Sequence, residues 1–209
     1  MRLRLVLQVL CSLFPFIVFP GQVFGHTYQC EVTDPSGDAT DAPGVGFNGE
    51  TYQDMVKSGI ERTSGAVVFS MELAGAIPSA PRLKNPNGLL LWMWGMNTGT
   101  TLPLGSPLPP GLSGLLEFWV HVAWDGQKFY AQVIDRRPTV QGGSPVITPV
   151  PFLIDGRNVR VFASPSLFDD PAIFRWGSTT WNWSAHLDSA GAHPVDRAPD
   201  SHATECVAN

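Results

Sequence analysis

Large apolar residues occupy every second position from Val67 to Leu73, with smaller or polar residues between them. This period-two pattern predicts a β-strand with one buried face. A second segment, Leu89 to Met96, is apolar at odd and even positions alike. We therefore predict a central strand there that is either covered on both of its faces or carries an exposed apolar outer face.

Two Asp-Gly turns, each set between short segments rich in apolar residues, predict β-hairpins. The predicted hairpins are 116–124 with 128–135, and 152–154 with 159–163. Residues 54–61 and 174–186 supply further strands, 165–171 form a loop or one helical turn, and 98–114 form a long loop. The segment 187–205 has no period and is predicted to be an irregular return towards the C-terminus.

About eight or nine short strands, without a convincing helix, are typical of an antiparallel β-sandwich. The composition agrees with this prediction, because 21 glycines and 19 prolines among 209 residues disfavour long helices. We therefore predict an all-β, jelly-roll-like sandwich in a single domain over residues 26–209.

The first 25 residues have the pattern of a signal peptide. Arg2 and Arg4 precede an apolar run over 5–18, and we place cleavage after Gly25. The alternative, an uncleaved anchor, is disfavoured because the run is shorter than the ~20 residues that a spanning helix needs. We expect a secreted, extracytoplasmic protein without membrane insertion after cleavage. Its formal charge falls from −5 to −7 because two arginines leave, so no basic patch for nucleic acid remains.

Cysteine usage points to one disulfide. Cys11 leaves with the predicted signal peptide, so the exported chain keeps only Cys30 and Cys206. Two cysteines in an exported chain most simply pair with each other. The alternatives are two free thiols or a pair of metal ligands.

Aspartates cluster near both ends of the exported chain. The first group is Asp34, Asp38 and Asp41, and the second is Asp196 and Asp200. A Cys30–Cys206 bond would bring the two groups together, where their carboxylates would repel each other. Calcium binds six to eight oxygens and would relieve that repulsion, so we predict a calcium site. The alternative is that these residues only form exposed turns.

Several short motifs resemble a known class of domain. They are Asp-Pro-Ser-Gly-Asp at 34–38, Leu-Ala-Gly at 73–75, Trp-Asp-Gly at 124–126 and Asp-Arg-Ala-Pro-Asp at 196–200. Together they resemble bacterial exported β-sandwiches similar to family-nine carbohydrate-binding modules and DOMON-like domains. The resemblance covers most of residues 30–206. It implies a jelly-roll-like sandwich, often a calcium near the chain ends, and binding of sugar or haem in some members.

The chain has seven tryptophans, and two pairs of them are spaced two residues apart. On a strand this spacing places both members of a pair on one face, where indoles could stack on sugar rings. The competing interpretation, which we favour for most of the seven, is that they fill the core. The candidate sugar-binding residues are Trp92, Trp94, Trp181, Asn182 and Trp183, of which the last three are the better candidates for an exposed group.

Other chemistry has weaker support. His26 would be the mature N-terminus and could bind copper in an oxidative enzyme, with His121, His186, His193 or His202 as a further ligand. Haem held by a methionine and a histidine would use residues such as Met93, Met96, His121 and His186. Neither a pair of carboxylates nor a Ser/His/Asp group stands out. We therefore predict a non-catalytic binding domain. The two alternatives are the copper-dependent oxidative enzyme and a structural or interaction domain of the cell envelope without a small ligand. The sequence leaves the oligomeric state open.

Overall fold

Two antiparallel β-sheets pack face to face across one apolar core. The computed structural model describes residues 27–39, 50–63, 65–83, 86–100, 117–140, 142–183, 193–199 and 203–208. The strands are β1 (Tyr28–Thr33), β2 (Met55–Arg62), β3 (Val67–Leu73), β4 (Leu89–Asn97), β5 (Phe118–Trp124), β6 (Phe129–Asp135), β7 (Val146–Pro149), β8 (Phe152–Asp155), β9 (Asn158–Ala163), β10 (Ile173–Trp183), β11 (His193–Ala198) and β12 (Thr204–Val207). A helical turn, α1 (Arg137–Val140), and a 3-10 turn (Pro165–Phe168) complete the described elements.

The five-stranded sheet has the order β1-β2-β3-β9-β8. The seven-stranded sheet has the order β11-β10-β4-β5-β6-β7, with β12 also paired to β10. The predicted all-β antiparallel sandwich is confirmed. The predicted hairpins are also present, because β5 pairs with β6 and β8 pairs with β9 across their Asp-Gly turns.

Two stretches predicted to be without strands need correction. The segment 187–205 is not irregular, since it contains β11 and the start of β12. Prolines and single polar residues hide the period of these strands, and pairing with β10 provides the hydrogen bonds that stabilise them. Between the hairpins, the short strand β7 was also not predicted, since its side chains are largely exposed at the sheet edge.

The core lies between the sheets, and β4 is central to it. β10 and β5 pair with β4 on either side, and every β4 residue after Leu89 is buried. The even-numbered residues from Leu90 to Met96 belong to the main core. Leu91 and Met93 face the other way and join a second apolar cluster on the outer side of the sheet. Of the two alternatives for this strand, the one with both faces covered is therefore confirmed.

The predicted disulfide joins Cys30 and Cys206, whose Cα atoms lie 5.8 Å apart. Cys30 belongs to β1 in the five-stranded sheet, and Cys206 belongs to β12 beside β10. The bond therefore ties the two sheets together as well as the two ends of the domain. Tyr28 and Phe174 pack edge to face next to it, with ring centroids 4.9 Å apart.

Candidate functional site

Aspartates from three parts of the chain meet where β1, β2 and β11 come close. Asp34 and Asp38 follow β1, and Asp196 lies in β11. One ligand oxygen from each of these three residues lies within 4.8 Å of the others. Oxygens bound to one Ca²⁺ ion at 2.3–2.6 Å are separated by at most about 5 Å, so these three fit a common ion.

A fourth carboxylate, Asp54, lies beside these three, close enough for its charge to act on Asp196, and we call the four together the aspartate cluster (Asp34, Asp38, Asp54 and Asp196). Asp54 is only 5% exposed. Its Oδ2 accepts a hydrogen bond of 2.8 Å from the backbone N–H of Gly37. Its Oδ1 is buried and has no hydrogen-bond partner among the described residues. A buried carboxylate oxygen without a donor is costly, and a cation would satisfy it.

Local backbone geometry aims the loop after β1 at this point. Asp34 donates its backbone N–H to the carbonyl of Val56, which continues the β1–β2 pairing by one residue. Gly37 has a φ of +93°, a conformation that favours glycine. The chain can therefore turn sharply and place Asp38 beside Asp196.

The electrostatics of Asp196 show the strain of bringing these charges together. Burial is the main cause that raises the pKa of Asp196 to about 6, and the negative charges of Asp38 and Asp54 raise it further. Backbone N–H groups of Met55 and Arg197 donate to its carboxylate and oppose that shift. At an effective dielectric of about 20, two unit charges 5 Å apart repel by about 3 kcal/mol.

The donor set fits calcium better than the alternatives. All four side chains offer hard oxygen ligands, which Ca²⁺ binds in flexible arrangements of six to eight. Mg²⁺ prefers strict octahedral geometry with several waters, and Zn²⁺ prefers nitrogen and sulfur ligands. Of the five aspartates predicted as ligands, Asp34, Asp38 and Asp196 come together, while Asp41 and Asp200 lie outside the described residues.

Asp54 was missed by the sequence reasoning. It comes directly before a strand and belongs to neither acidic group. The antiparallel register of β1 and β2 pairs Thr33 with Lys57, which brings the start of β2 beside the loop after β1. The proximity of Asp54 to Asp34 therefore follows from the pairing of β1 with β2, which the sequence does not show.

The tryptophans predicted as sugar ligands on β4 lie in the core instead. Trp92 and Trp94 are both fully buried between the sheets. The indole N–H of Trp92 donates to the carbonyl of Tyr52 at 2.8 Å, and that of Trp94 donates to Ser58 Oγ at 2.9 Å. These two indoles are therefore inaccessible to a ligand, because sheet packing covers them and their polar atoms are satisfied inside.

The second predicted group, on β10, is not an exposed aromatic platform either. Trp181 is 5% exposed and packs with Leu91, Met93 and Ala123 in the outer apolar cluster. Asn182 faces the interior side, where its Oδ1 accepts a hydrogen bond of 3.0 Å from Gln53 Nε2. The backbone of Trp183 ends β10, and its side chain lies outside the described part of the chain.

Only some of the histidines predicted as copper or haem ligands lie among the described residues. His26, His186 and His202 lie outside the described residues, and for His193 only the backbone is described. His121 lies opposite Met93 in the β4–β5 register. Met96 faces the main core on the other side of the sheet, so it cannot share an ion or a haem with His121.

His121 is buried with both ring nitrogens lacking a hydrogen-bond partner among the described residues. Burial lowers the pKa of His121 to about 4, against an ordinary value of 6.5. The unfolded chain therefore binds one more proton than the folded chain between these two pH values. This contribution to stability is complete above about pH 6.5 and is lost as the pH falls towards 4.

We expect acid to destabilise the protein through His121 by about 3 kcal/mol between pH 7 and pH 4. Urea unfolding of the wild type and of His121→Phe at both pH values measures this effect. The difference in unfolding free energy between the two proteins should change by about 3 kcal/mol between pH 7 and pH 4, because Asp196 and all other titratable groups are present in both. An equal pH dependence in the two proteins would show that His121 is not buried as a neutral ring.

A pocket that the sequence did not indicate lies on the outer face of the five-stranded sheet. Its volume is about 470 Å³. The floor is formed by Gly59 of β2 and Ser70 of β3, which are register partners. The longer side chains Glu31, Lys57, Glu61, Val68, Glu72, Arg160 and Phe162 line it around them. We call this the outer pocket.

We compared the chain with protein-family models, with curated proteins and with solved structures, and none of them matches it. The resemblance to carbohydrate-binding modules and DOMON-like domains therefore stays a prediction. Within the described residues, no helix has the length and apolar character that crossing a bilayer requires.

Proposed function

We propose that this chain is an exported, non-catalytic binding domain in which the aspartate cluster holds a structural Ca²⁺ ion. The observation that carries the proposal is the meeting of Asp34, Asp38 and Asp196 within 4.8 Å, beside the buried and partly unsatisfied Asp54. Carbohydrate is the ligand class that we propose for the domain. The core tryptophans would not bind it.

A cation at this position would have a clear structural role. Asp34 and Asp54 belong to the β1–β2 end of one sheet, and Asp196 belongs to β11 of the other. Met55 N–H already donates to Asp196 across this boundary. An ion bound to all of them would join the sheets at a second place, in addition to the Cys30–Cys206 bond.

Calcium is expected to raise the stability of the domain. A ligand that binds only the folded state adds about 2.7 kcal/mol when its free concentration is 100 times its Kd. Thermal unfolding after treatment with EDTA, and again after adding CaCl₂, measures this effect. We expect a higher melting temperature with CaCl₂ and a smaller or absent increase with MgCl₂.

Asp54→Asn tests the site without changing the size of the side chain. We expect this variant to lose the response to CaCl₂, and its calcium-free form to be at least as stable as the wild type because one repelling charge is gone. Asp155→Asn is the matched control, since Asp155 is an exposed aspartate at the end of β8. The calcium proposal fails if calorimetry detects no Ca²⁺ binding to the EDTA-treated wild type.

A further inference from the structure

The outer pocket has an unusual floor for the outer face of a sheet. Gly59 lies in the interior of β2, where glycine weakens a strand and often marks a place where another backbone or a ligand approaches closely. A Cβ atom at this position would lie 3.2 Å from the carbonyl oxygen of Cys30 and 3.2 Å from Ser70 Oγ. The side chains of neighbouring strands stand above this floor, so the sheet face is hollow in the middle.

The charges around the outer pocket largely cancel. Glu31 forms an ion pair of 2.7 Å with Lys57, and Glu72 forms one of 2.5 Å with Arg157. The side chains of Glu61 and Arg160 have opposite charges, are exposed, and have no hydrogen-bond or ion-pair partner among the described residues. Such a pocket has no strong preference for an anion or a cation, and it favours a neutral ligand rich in hydroxyl groups.

The remaining side chains suit the two kinds of surface that a sugar presents. Carboxylates accept hydrogen bonds from hydroxyl groups, and the guanidinium of Arg160 donates to them. Val68 and Phe162 are register partners on this face and provide an apolar patch for the C–H groups of a sugar ring. The volume of about 470 Å³ lies within the 300–1,000 Å³ typical of small-ligand sites.

We propose that the outer pocket is the ligand site of this domain and binds a neutral oligosaccharide, with Glu61 and Arg160 bonding to its hydroxyl groups. This inference rests on the proposed function, from which it takes the ligand class. It moves the binding site from the tryptophans to the outer face of the other sheet. Strand addition by a peptide is disfavoured, because the pocket lies on the sheet face and not at its edge.

The test uses the protein in a buffer that contains CaCl₂. An array of neutral glucan, xylan, mannan and chitin oligosaccharides, with polygalacturonate as an anionic arm, identifies a ligand, and calorimetry then gives its Kd. We expect a neutral oligosaccharide to bind, and Arg160→Ala and Glu61→Gln each to weaken it at least about tenfold, the effect of one hydrogen bond to a charged group. Arg82→Ala, at an exposed arginine that does not line the outer pocket, is the control and should leave the Kd unchanged.

We expect Arg160→Ala and Glu61→Gln to have the melting temperature of the wild type, because both side chains are exposed. An unchanged melting temperature shows that a loss of binding comes from the replaced side chain and not from unfolding. Binding of a neutral oligosaccharide that both variants retain would overturn the outer pocket but leave the proposed ligand class standing. Binding of polygalacturonate alone would overturn the neutral ligand. If no oligosaccharide on the array binds, both the outer pocket as a sugar site and the proposed ligand class are overturned. Self-association of the protein that Arg160→Ala and Glu61→Gln abolish would overturn both as well. The calcium measurement does not depend on either result.

Discussion

Replacing both Cys30 and Cys206 by alanine is expected to lower the free energy of unfolding by about 5 kcal/mol. The bond spans 176 residues of sequence, so it removes much of the conformational freedom of the unfolded chain. Because domains of this size are stable by only about 5–15 kcal/mol, the double variant should be close to unfolding at room temperature. Urea unfolding of both proteins measures the difference.

Alanine is chosen because Cys206 is fully buried and serine would bury an unpaired hydroxyl group. The wild type treated with a reductant is the matched control, and it should lose about the same stability as the variant. A double variant as stable as the oxidised wild type would contradict a closed disulfide in the native protein.

Trp94→Ala is expected to cost about 3–5 kcal/mol of unfolding free energy, the usual range for removing a large aromatic side chain from a core. Trp94 is fully buried, and its indole N–H donates to Ser58 Oγ. Ser58→Ala removes this acceptor together with the hydrogen bond that Ser58 Oγ donates to the carbonyl of Ser70, and it should cost about 1 kcal/mol because the indole N–H keeps the Ser70 carbonyl as an acceptor. Urea unfolding measures both, and Trp94→Phe is a milder replacement that keeps the comparison possible if the alanine variant does not fold.

The same variants separate the core from the binding interpretation of the tryptophans. A side chain in the core contributes to stability, whereas a surface ligand contributes mainly to affinity. Trp94→Ala with wild-type stability but without oligosaccharide binding would show that this indole faces a ligand. We expect the opposite result, since Phe69 packs against the indole within the main core.

The proposed calcium ion and the outer pocket involve different parts of the five-stranded sheet. The ion would lie where β1 and β2 meet β11, and the pocket lies over the middle of β2 and β3. Loss of calcium should therefore lower the stability of the domain more than it changes the Kd for an oligosaccharide. Calorimetry in EDTA at a temperature where the domain stays folded tests this expectation.

Strand positions and the disulfide were predictable because their signals are local or chemical. Alternation from Val67 to Leu73 predicts a strand whatever its neighbours are, and the Asp-Gly turns show where hairpins reverse. Cys30 and Cys206 had only each other as partners once Cys11 was assigned to the signal peptide. The acidic groups were also visible, because Asp34, Asp38 and Asp196 lie close to those cysteines in sequence.

Period two distinguishes the two faces of a strand, but which face becomes the interior depends on the sheet that packs against it. Trp92 and Trp94 were correctly placed on one face of β4, yet only the opposite sheet made that face the core. Asp54 and the outer pocket depend on register, because β1–β2 pairing places Asp54 by the acidic loop, and β2–β3 pairing sets Gly59 against Ser70. Local sequence thus determined which segments are strands, and long-range pairing alone decided which side chains meet.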